Sequence, residues 1–186
     1  MNRKLSTTTL LALILILLFS VLANAEETGF SENGDWYYSI EEDPMTDETT
    51  LFFMLPDEEH MGDDFNSYSA DALIIRKSPE YEPELFINWS DYLADNNKVR
   101  FRFDKENIQS EYWSMSQDST ALFYPGSQEE LVDFVKQLLE ADQIAIEVKP
   151  YEQTREASVF QLKGLGEVLL PHLDILGWEE LESVIE

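Results

Sequence analysis

The chain has 186 residues, with 12 Lys and Arg against 38 Asp and Glu and a formal net charge of −26. This charge disfavours nucleic acid and anionic lipid as partners, because both are bound through Lys and Arg that neutralise phosphate. The chain contains no cysteine, which excludes disulfides and lipid attachment to a cysteine, and its 12% of aromatic residues favours a packed globule over a disordered acidic chain.

Residues 1–25 have the pattern of a secretory signal peptide. A basic stretch at 2–4 precedes an apolar run at 10–22, and Ala-Asn-Ala at 23–25 supplies the small residues that a signal peptidase recognises. The apolar run is shorter than the roughly 20 residues that span a bilayer. We therefore expect cleavage before Glu26, export to the periplasm or the medium, and no stable membrane insertion of the mature chain.

The N-terminal half of the mature chain is expected to form short strands. Residues 26–35 are polar and contain glycine, which predicts a flexible leader, and a single domain is expected over 36–186. Apolar runs bounded by turn residues predict strands at 36–40, 51–55, 72–77, 84–89 and 98–104. The last of these alternates, so that Val99, Phe101 and Phe103 share one face.

The C-terminal half mixes strands with helix. Ser127 and Glu130 form a capping-box pattern, and apolar residues at helical spacing behind them predict an amphipathic helix at about 127–141. Strands are predicted around it at 112–115, 120–124, 143–149 and 157–162. The tail at 165–178 predicts a short helix interrupted near Pro171. This pattern predicts a mainly β (α+β) fold, an antiparallel β-sandwich decorated by helix.

The sequence carries no recognisable reaction centre. Its histidines are His60 and His172, and it has no G-x-S-x-G motif, so neither a catalytic triad nor a zinc site is expected. We assign no catalytic residue and expect no cofactor. A glycan hydrolase that uses two carboxylates stays open, because the 38 acids offer many pairs and the sequence singles out none.

Two acidic stretches could supply oxygen ligands to calcium. Asp43 and Asp47 lie in the first stretch, and Asp63 and Asp64 in the second. Neither stretch has the D-x-D-x-D-G spacing of an EF-hand loop, and a solvated acidic loop is the commoner outcome. The acids are spread along the chain, which favours a solubilising surface over an acidic tail that attracts a basic partner.

The scarce cations are the clearer indication of a binding surface. Arg76, Arg100 and Arg102 lie on or beside predicted strands, next to aromatic residues. One interpretation is structural, with each guanidinium paired to a carboxylate on a sheet face. The other is a small basic patch, lined also by Trp113 and Tyr124, that receives an anionic group or a partner loop.

A series of short motifs runs through nearly the whole mature chain in a fixed order. They are Trp36 with DPMTDE, LIIR ending in Arg76, FINW, VRFRFD, the W-x-x-S of Trp113 and Ser116, ALFYPG, the helix, PY at 150–151, FQLKGL at 160–165 and GW at 177–178. In this order the chain resembles the VasI (TagO) family of type VI secretion accessory proteins and related exported or prophage-borne proteins of unknown function. The resemblance implies association with a contractile secretion machine in the cell envelope and no catalytic role.

Two positions depart from that family pattern. Members tend to carry cysteine directly after the IR pair and directly before the closing GW, where this chain has Lys77 and Leu176. The loss of both together implies that the two cysteines form a disulfide in relatives. We therefore expect the Cα atoms of Lys77 and Leu176 to lie within about 7 Å, the reach of a disulfide.

The resulting hypothesis is an exported, non-enzymatic protein that binds a protein or another component of the bacterial envelope. Two alternatives stay open, an exported carboxylate-dependent glycan hydrolase and a secreted effector or immunity-type protein. A deep cleft with two carboxyl groups about 5–10 Å apart would favour the hydrolase. Recovery of the mature chain outside the producing cell would favour the effector.

Overall fold

A computed structural model describes residues 27–58, 71–95 and 98–185, which form two antiparallel sheets. The larger sheet contains, in spatial order, β1 (Glu27–Phe30), β2 (Tyr37–Glu42), β3 (Thr49–Pro56), β4 (Ala72–Ser78), β5 (Tyr81–Asn88), β9 (Ala121–Phe123) and β8 (Ser114–Met115). The smaller sheet contains β11 (Glu156–Gln161), β10 (Gln143–Val148), β6 (Lys98–Phe103) and β7 (Gln109–Tyr112).

All the described helical elements come after β9 in the chain. Two strands, β10 and β11, separate the first helix from the others. The helical elements are α1 (Gln128–Glu140), α2 (Leu165–Leu169), α3 (Leu173–Leu176) and α4 (Glu182–Ile185), with 3-10 turns at Leu170–His172 and Glu179–Leu181. The predicted capping box is present, because the Ser127 hydroxyl accepts from the Glu130 N–H and the Glu130 carboxylate accepts from the Ser127 N–H at 2.8 Å. Pro171 lies in the first 3-10 turn, where the sequence predicts an interruption.

The hydrophobic core is formed by both sheets and the helices. Val99, Phe101 and Phe103 are buried in it from β6, as their alternation predicts. Phe134 of α1 packs on them, with its ring centroid 5.4 Å from those of Phe101 and Phe103. The structure confirms the predicted fold class, a mainly β antiparallel sandwich with one amphipathic helix and a short helical C-terminal segment.

Two stretches differ from the prediction. Residues 27–30, predicted as part of a flexible leader, form β1, a polar and mostly exposed strand that lacks the apolar alternation by which strands are predicted. The stretch 112–115, predicted as one strand, is divided between the sheets. β7 ends at Tyr112 in the smaller sheet, β8 begins at Ser114 in the larger sheet, and the buried Trp113 connects them.

Some predicted features lie outside the described residues. They are the signal-peptide pattern at 1–25, His60, and the calcium candidates Asp63 and Asp64. Within the described ranges, no helix is long and apolar enough to cross a membrane.

The outer surface of the larger sheet, here named the apolar face, carries a second hydrophobic cluster. Its buried members are Met54, Ala72, Ile74, Phe86 and Ala121, and its half-buried members are Tyr37, Phe52 and Phe123. These residues alternate along their strands with those of the main core, so the larger sheet has apolar side chains on both surfaces.

Candidate functional site

The outer surface of the smaller sheet collects cations. β6 turns its apolar residues inward, so alternation places Lys98, Arg100 and Arg102 on the outer surface. Arg155, just before β11, joins them, since its guanidinium donates to the backbone carbonyl of Lys98 at 3.0 Å. We name these four side chains the basic face. The carboxylate of Glu147 on β10 contacts two of them, so four cations and one acid give a local net charge of +3.

The members of the basic face differ in how far they are neutralised. Arg100 is ion-paired with Glu147 at 2.8 Å, and the same carboxylate lies 3.4 Å from the guanidinium of Arg155. The Lys98 ammonium lies 5.5 Å from the centre of the Tyr112 ring, a cation–π contact. Arg102 is exposed and has no ion-pair partner among the described residues. It is therefore the member most available to an incoming anion.

A shallow groove of about 210 Å³ runs beside the two arginines. β10 and β11 carry alanines here, Ala145 opposite Arg102 and Ala157 opposite Glu147, and their small side chains leave the space open. Ile108, with 55% of its surface exposed, also lines the groove. Pockets that hold drug-sized ligands have roughly 300–1,000 Å³, so this groove fits one apolar side chain better than a cofactor.

Arg76 belongs to a different surface, the apolar face. It lies on β4 directly opposite Glu84 of β5, and its Nε donates to that carboxylate at 2.8 Å. The guanidinium also lies 5.2 Å from the centre of the Phe86 ring. Arg76 thus follows the structural interpretation, because both its charge and its planar group are engaged within the sheet.

Trp113 and Tyr124 do not line an exposed patch. Trp113 is 5% exposed, because the change of sheet turns its ring inward, where it packs edge-on against Tyr124 with centroids 5.6 Å apart. Tyr124 is half-buried against α1, and its ring centroid lies 4.8 Å from that of Phe134. Burial, followed by the nearby Glu111 and Glu130 carboxylates, raises the pKa of Tyr124. Of the five residues predicted as one patch, only the two arginines of β6 share an exposed surface, while Trp113 and Tyr124 contact each other beside the core.

A second candidate site lies at one end of the sandwich. Asp57 directly follows β3 and Asp71 directly precedes β4, and both are buried. The Asp71 carboxylate accepts from the Ser158 hydroxyl on β11 at 2.6 Å, which links the two sheets, and from the Ser90 N–H just after β5 at 2.9 Å. A cavity of about 400 Å³ is lined by these residues together with Glu58, Trp89 and Glu156. In the sequence, this site appears only as one acid next to each of two predicted strands, and that pattern does not indicate that the acids are buried.

The calcium candidates that the structure describes are used within their own turn. The Asp43 carboxylate accepts from the N–H of Met45 at 2.7 Å and of Thr46 at 3.2 Å. Asp47 has a left-handed backbone, with φ of 57°, and its N–H donates to the Asp43 carbonyl. No three His, Asp or Glu side chains within the described ranges are grouped so that they could hold a metal ion.

The two positions where relatives carry cysteine differ in burial. Lys77 is half-buried and lies opposite Leu51 across β3 and β4, and Leu176 is buried in the main core. The Lys77 ammonium donates to the backbone carbonyl of Tyr81 at 2.8 Å, within the β4–β5 hairpin. The Cα separation of Lys77 and Leu176 stays a prediction.

Comparison with known proteins identifies a similar fold and assigns no function. Neither a family model nor a curated protein matches the chain. Among solved structures, it is similar to invasion associated protein B from Bartonella henselae, with a TM-score of 0.54 at 10% sequence identity, over 80% of this chain and 97% of that chain. At this identity the likeness concerns the fold alone. The resemblance to the VasI (TagO) family is not identified by these comparisons.

Proposed function

We propose that this chain is an exported, non-enzymatic protein of the bacterial cell envelope that binds a partner through the basic face. The observation that carries the proposal is the gathering of four cations on one side of one sheet, in a chain where acids outnumber cations 38 to 12. A local positive field of this kind attracts anionic groups to one surface while the rest of the protein repels them.

A cross-linking experiment asks whether the basic face contacts a partner in cells. A photo-activated cross-linking residue replaces Ile108 in the groove, and a control chain carries it at Met45, which is 89% exposed in the β2–β3 turn. We expect a cross-linked species from the Ile108 position that is absent from the Met45 position. It should disappear when Arg100→Glu and Arg102→Glu are introduced together. Equal cross-linking from both positions would overturn the proposal.

Export is tested by fractionation of the producing cells. The signal-peptide pattern at 1–25 leads us to expect a mature chain that begins at Glu26 and is recovered from the periplasm. Recovery mainly from the medium would favour the secreted effector or immunity-type alternative. Recovery from the cytoplasm with residues 1–25 still attached would contradict export.

A more specific form of the proposal places the partner in a type VI secretion machine. It is supported by the resemblance to the VasI (TagO) family, whose motifs include LIIR, VRFRFD and ALFYPG. Deletion of the gene in a strain that assembles such a machine should reduce secretion of a substrate of the machine. The wild-type chain should restore secretion, and the Arg100→Glu/Arg102→Glu chain should not. Unaltered secretion after deletion would contradict this specific form.

The acidic cavity supports a second candidate function, glycan hydrolysis through two carboxylates. Asp57 and Asp71 lie across from each other, since the Asp57 N–H donates to the Asp71 carbonyl at 3.0 Å. The Asp71 carboxylate already accepts two hydrogen bonds, one of which joins the sheets through Ser158, and this favours a structural role for it. Turnover of purified peptidoglycan that Asp57→Asn abolishes would establish the hydrolase. Absence of turnover by the folded wild-type chain would favour the binding protein.

A further inference from the structure

We propose that the basic face binds an extended acidic peptide segment that carries an apolar side chain. This inference rests on the proposed function, because it names the chemistry of the partner at the same surface. Three features of the face carry it: the interval between the cations, their unequal neutralisation, and the groove beside them.

The cations of β6 match the geometry of an extended peptide. Alternate residues of a strand lie about 6.8 Å apart, so Lys98, Arg100 and Arg102 project in a row at about that interval. Alternate carboxylates of an extended acidic peptide have the same interval. Such a peptide can place a carboxylate near each cation, whereas one small anion can contact only one or two of them.

The unequal neutralisation indicates where the acids and the apolar side chain lie. Arg102 and Lys98 have no ion-pair partner in the described part of the chain, so these two cations, on either side of Arg100, are the places for carboxylates of the peptide. Glu147 already occupies Arg100 from the β10 side and repels a further carboxylate there. That same region is the groove lined by Ala145 and Ala157, which offers an apolar surface instead. The face therefore favours a segment in which an apolar residue stands among acids.

A short peptide suits this surface better than a nucleic acid. The four cations form a small patch, and Glu147 neutralises part of it. A nucleic acid is held by neutralising many phosphates, and its backbone would continue from the patch onto a protein surface of net negative charge. A peptide segment can instead place neutral residues wherever it leaves the patch.

The test is a fluorescence-anisotropy titration with a labelled peptide of sequence ESESLSESE. Matched probes replace the leucine with serine, or all glutamates with glutamine, and competitors are oligothymidylate and inorganic phosphate. The protein variants are Arg102→Glu, which reverses the charge of an exposed cation without an ion pair, and Ala157→Trp, which fills the groove without changing the charge. Lys163→Glu is the control, because it makes the same charge change at an exposed residue away from the basic face.

We expect the wild-type chain to bind the leucine peptide, and Arg102→Glu or the glutamine peptide to weaken binding at least tenfold. The serine peptide and Ala157→Trp should each weaken it severalfold, and Lys163→Glu by less than twofold. Equal binding of the leucine and serine peptides would overturn the role of the groove. Tighter binding of oligothymidylate, or full competition by inorganic phosphate, would overturn the peptide assignment.

The two proposals can fail separately. If cross-linking at Ile108 is lost with the double arginine reversal but no peptide binds, the proposed function stands and the acidic-segment inference is wrong. If the peptide binds as expected but cross-linking at Ile108 and at Met45 is equal in cells, the face has the inferred chemistry, and the proposed envelope partner is wrong.

Discussion

The two outer faces of the sandwich use arginine for different purposes. On the apolar face, Arg76 lies opposite Glu84 on the neighbouring strand, and the two side chains form an ion pair. On the basic face, Arg102 lies opposite Ala145, and no carboxylate neutralises it within the described ranges. In a chain with so many acids, the residue across the strand therefore decides whether a cation stabilises the sheet or stays available to a partner. Position on a strand alone does not decide it.

The largest expected effect is a difference in stability between a variant on the apolar face and a variant beside the basic face. Phe86 is 7% exposed and its ring centroid lies 4.8 Å from that of Phe123, so Phe86→Ala should lower the free energy of unfolding by about 3–5 kcal/mol. Ile108→Ala on the opposite side removes an exposed side chain and should have little effect. Urea unfolding of both variants measures the difference. Similar losses for the two variants would contradict this division of roles.

The second prediction concerns an engineered disulfide between the larger sheet and the C-terminal helices. In a Lys77→Cys/Leu176→Cys chain, the two introduced thiols should form a disulfide on mild oxidation, with no native cysteine to compete. The oxidised form should then be more stable than the reduced form of the same variant by about 2–4 kcal/mol. Binding of the acidic peptide should not change, because the basic face lies on the other sheet. Failure of the thiols to pair would mean that the two positions are not neighbours.

The third prediction makes the same substitution on each face. Arg76→Ala should lower the free energy of unfolding by about 1 kcal/mol, because it removes a half-exposed ion pair with Glu84 and a cation–π contact with Phe86. Arg102→Ala should leave stability unchanged within the error of urea unfolding, yet weaken binding of the acidic peptide. A loss of stability in Arg102→Ala would show that this side chain has a partner within the protein.

The smallest effect concerns a histidine on the inner side of the larger sheet. The ring of His172 packs near those of Tyr38 and Phe53, with centroids 6.5 and 6.0 Å away, and burial lowers its pKa, although Glu27 and Asp174 act in the opposite direction. The unfolded chain therefore binds this proton more tightly than the folded chain. The stability associated with neutral His172 is present above the ordinary pKa of about 6.5 and is lost as the pH falls below it.

His172→Gln provides the matching control for this pH dependence. Wild type and variant are unfolded in urea at a series of pH values from 7.5 to about 5, a range on both sides of the ordinary histidine pKa. The wild type should lose more stability across this range than the variant, because only the wild type has the buried histidine. The carboxylates are the same in both chains, so their contribution cancels in the comparison. Parallel profiles would exclude His172 as a source of the pH dependence.

Elements with local signals could be predicted from the sequence almost to the residue. The alternation at 98–104 corresponds to β6, and the capping box and helical spacing at 127–141 correspond to α1, which spans Gln128–Glu140. Such signals depend on neighbours in sequence. β1 gives none, because it is polar and pairs along one edge of the sheet, and the change of sheet at Trp113 depends on tertiary packing that short-range patterns do not contain.

The candidate site could be predicted only in part. Alternation places Arg100 and Arg102 on the outer surface of β6, so their shared direction is readable from the sequence. Their different surroundings are not, because they depend on the register that sets Glu147 beside one and Ala145 beside the other. Arg155 was missed since it lies in a turn distant in sequence and reaches the face only through the pairing of β10 with β11.

Trp113 has a mechanical consequence for the surface next to it. The strand that ends one sheet is separated by this single residue from the strand that begins the other, and its indole is held among Phe101, Tyr124 and Phe134. A shift of one sheet relative to the other would therefore break the contacts of the Trp113 indole with these aromatic rings. β6 packs on this ring through Phe101, so the strand that carries the row of positive side chains is held at the corner of the sandwich.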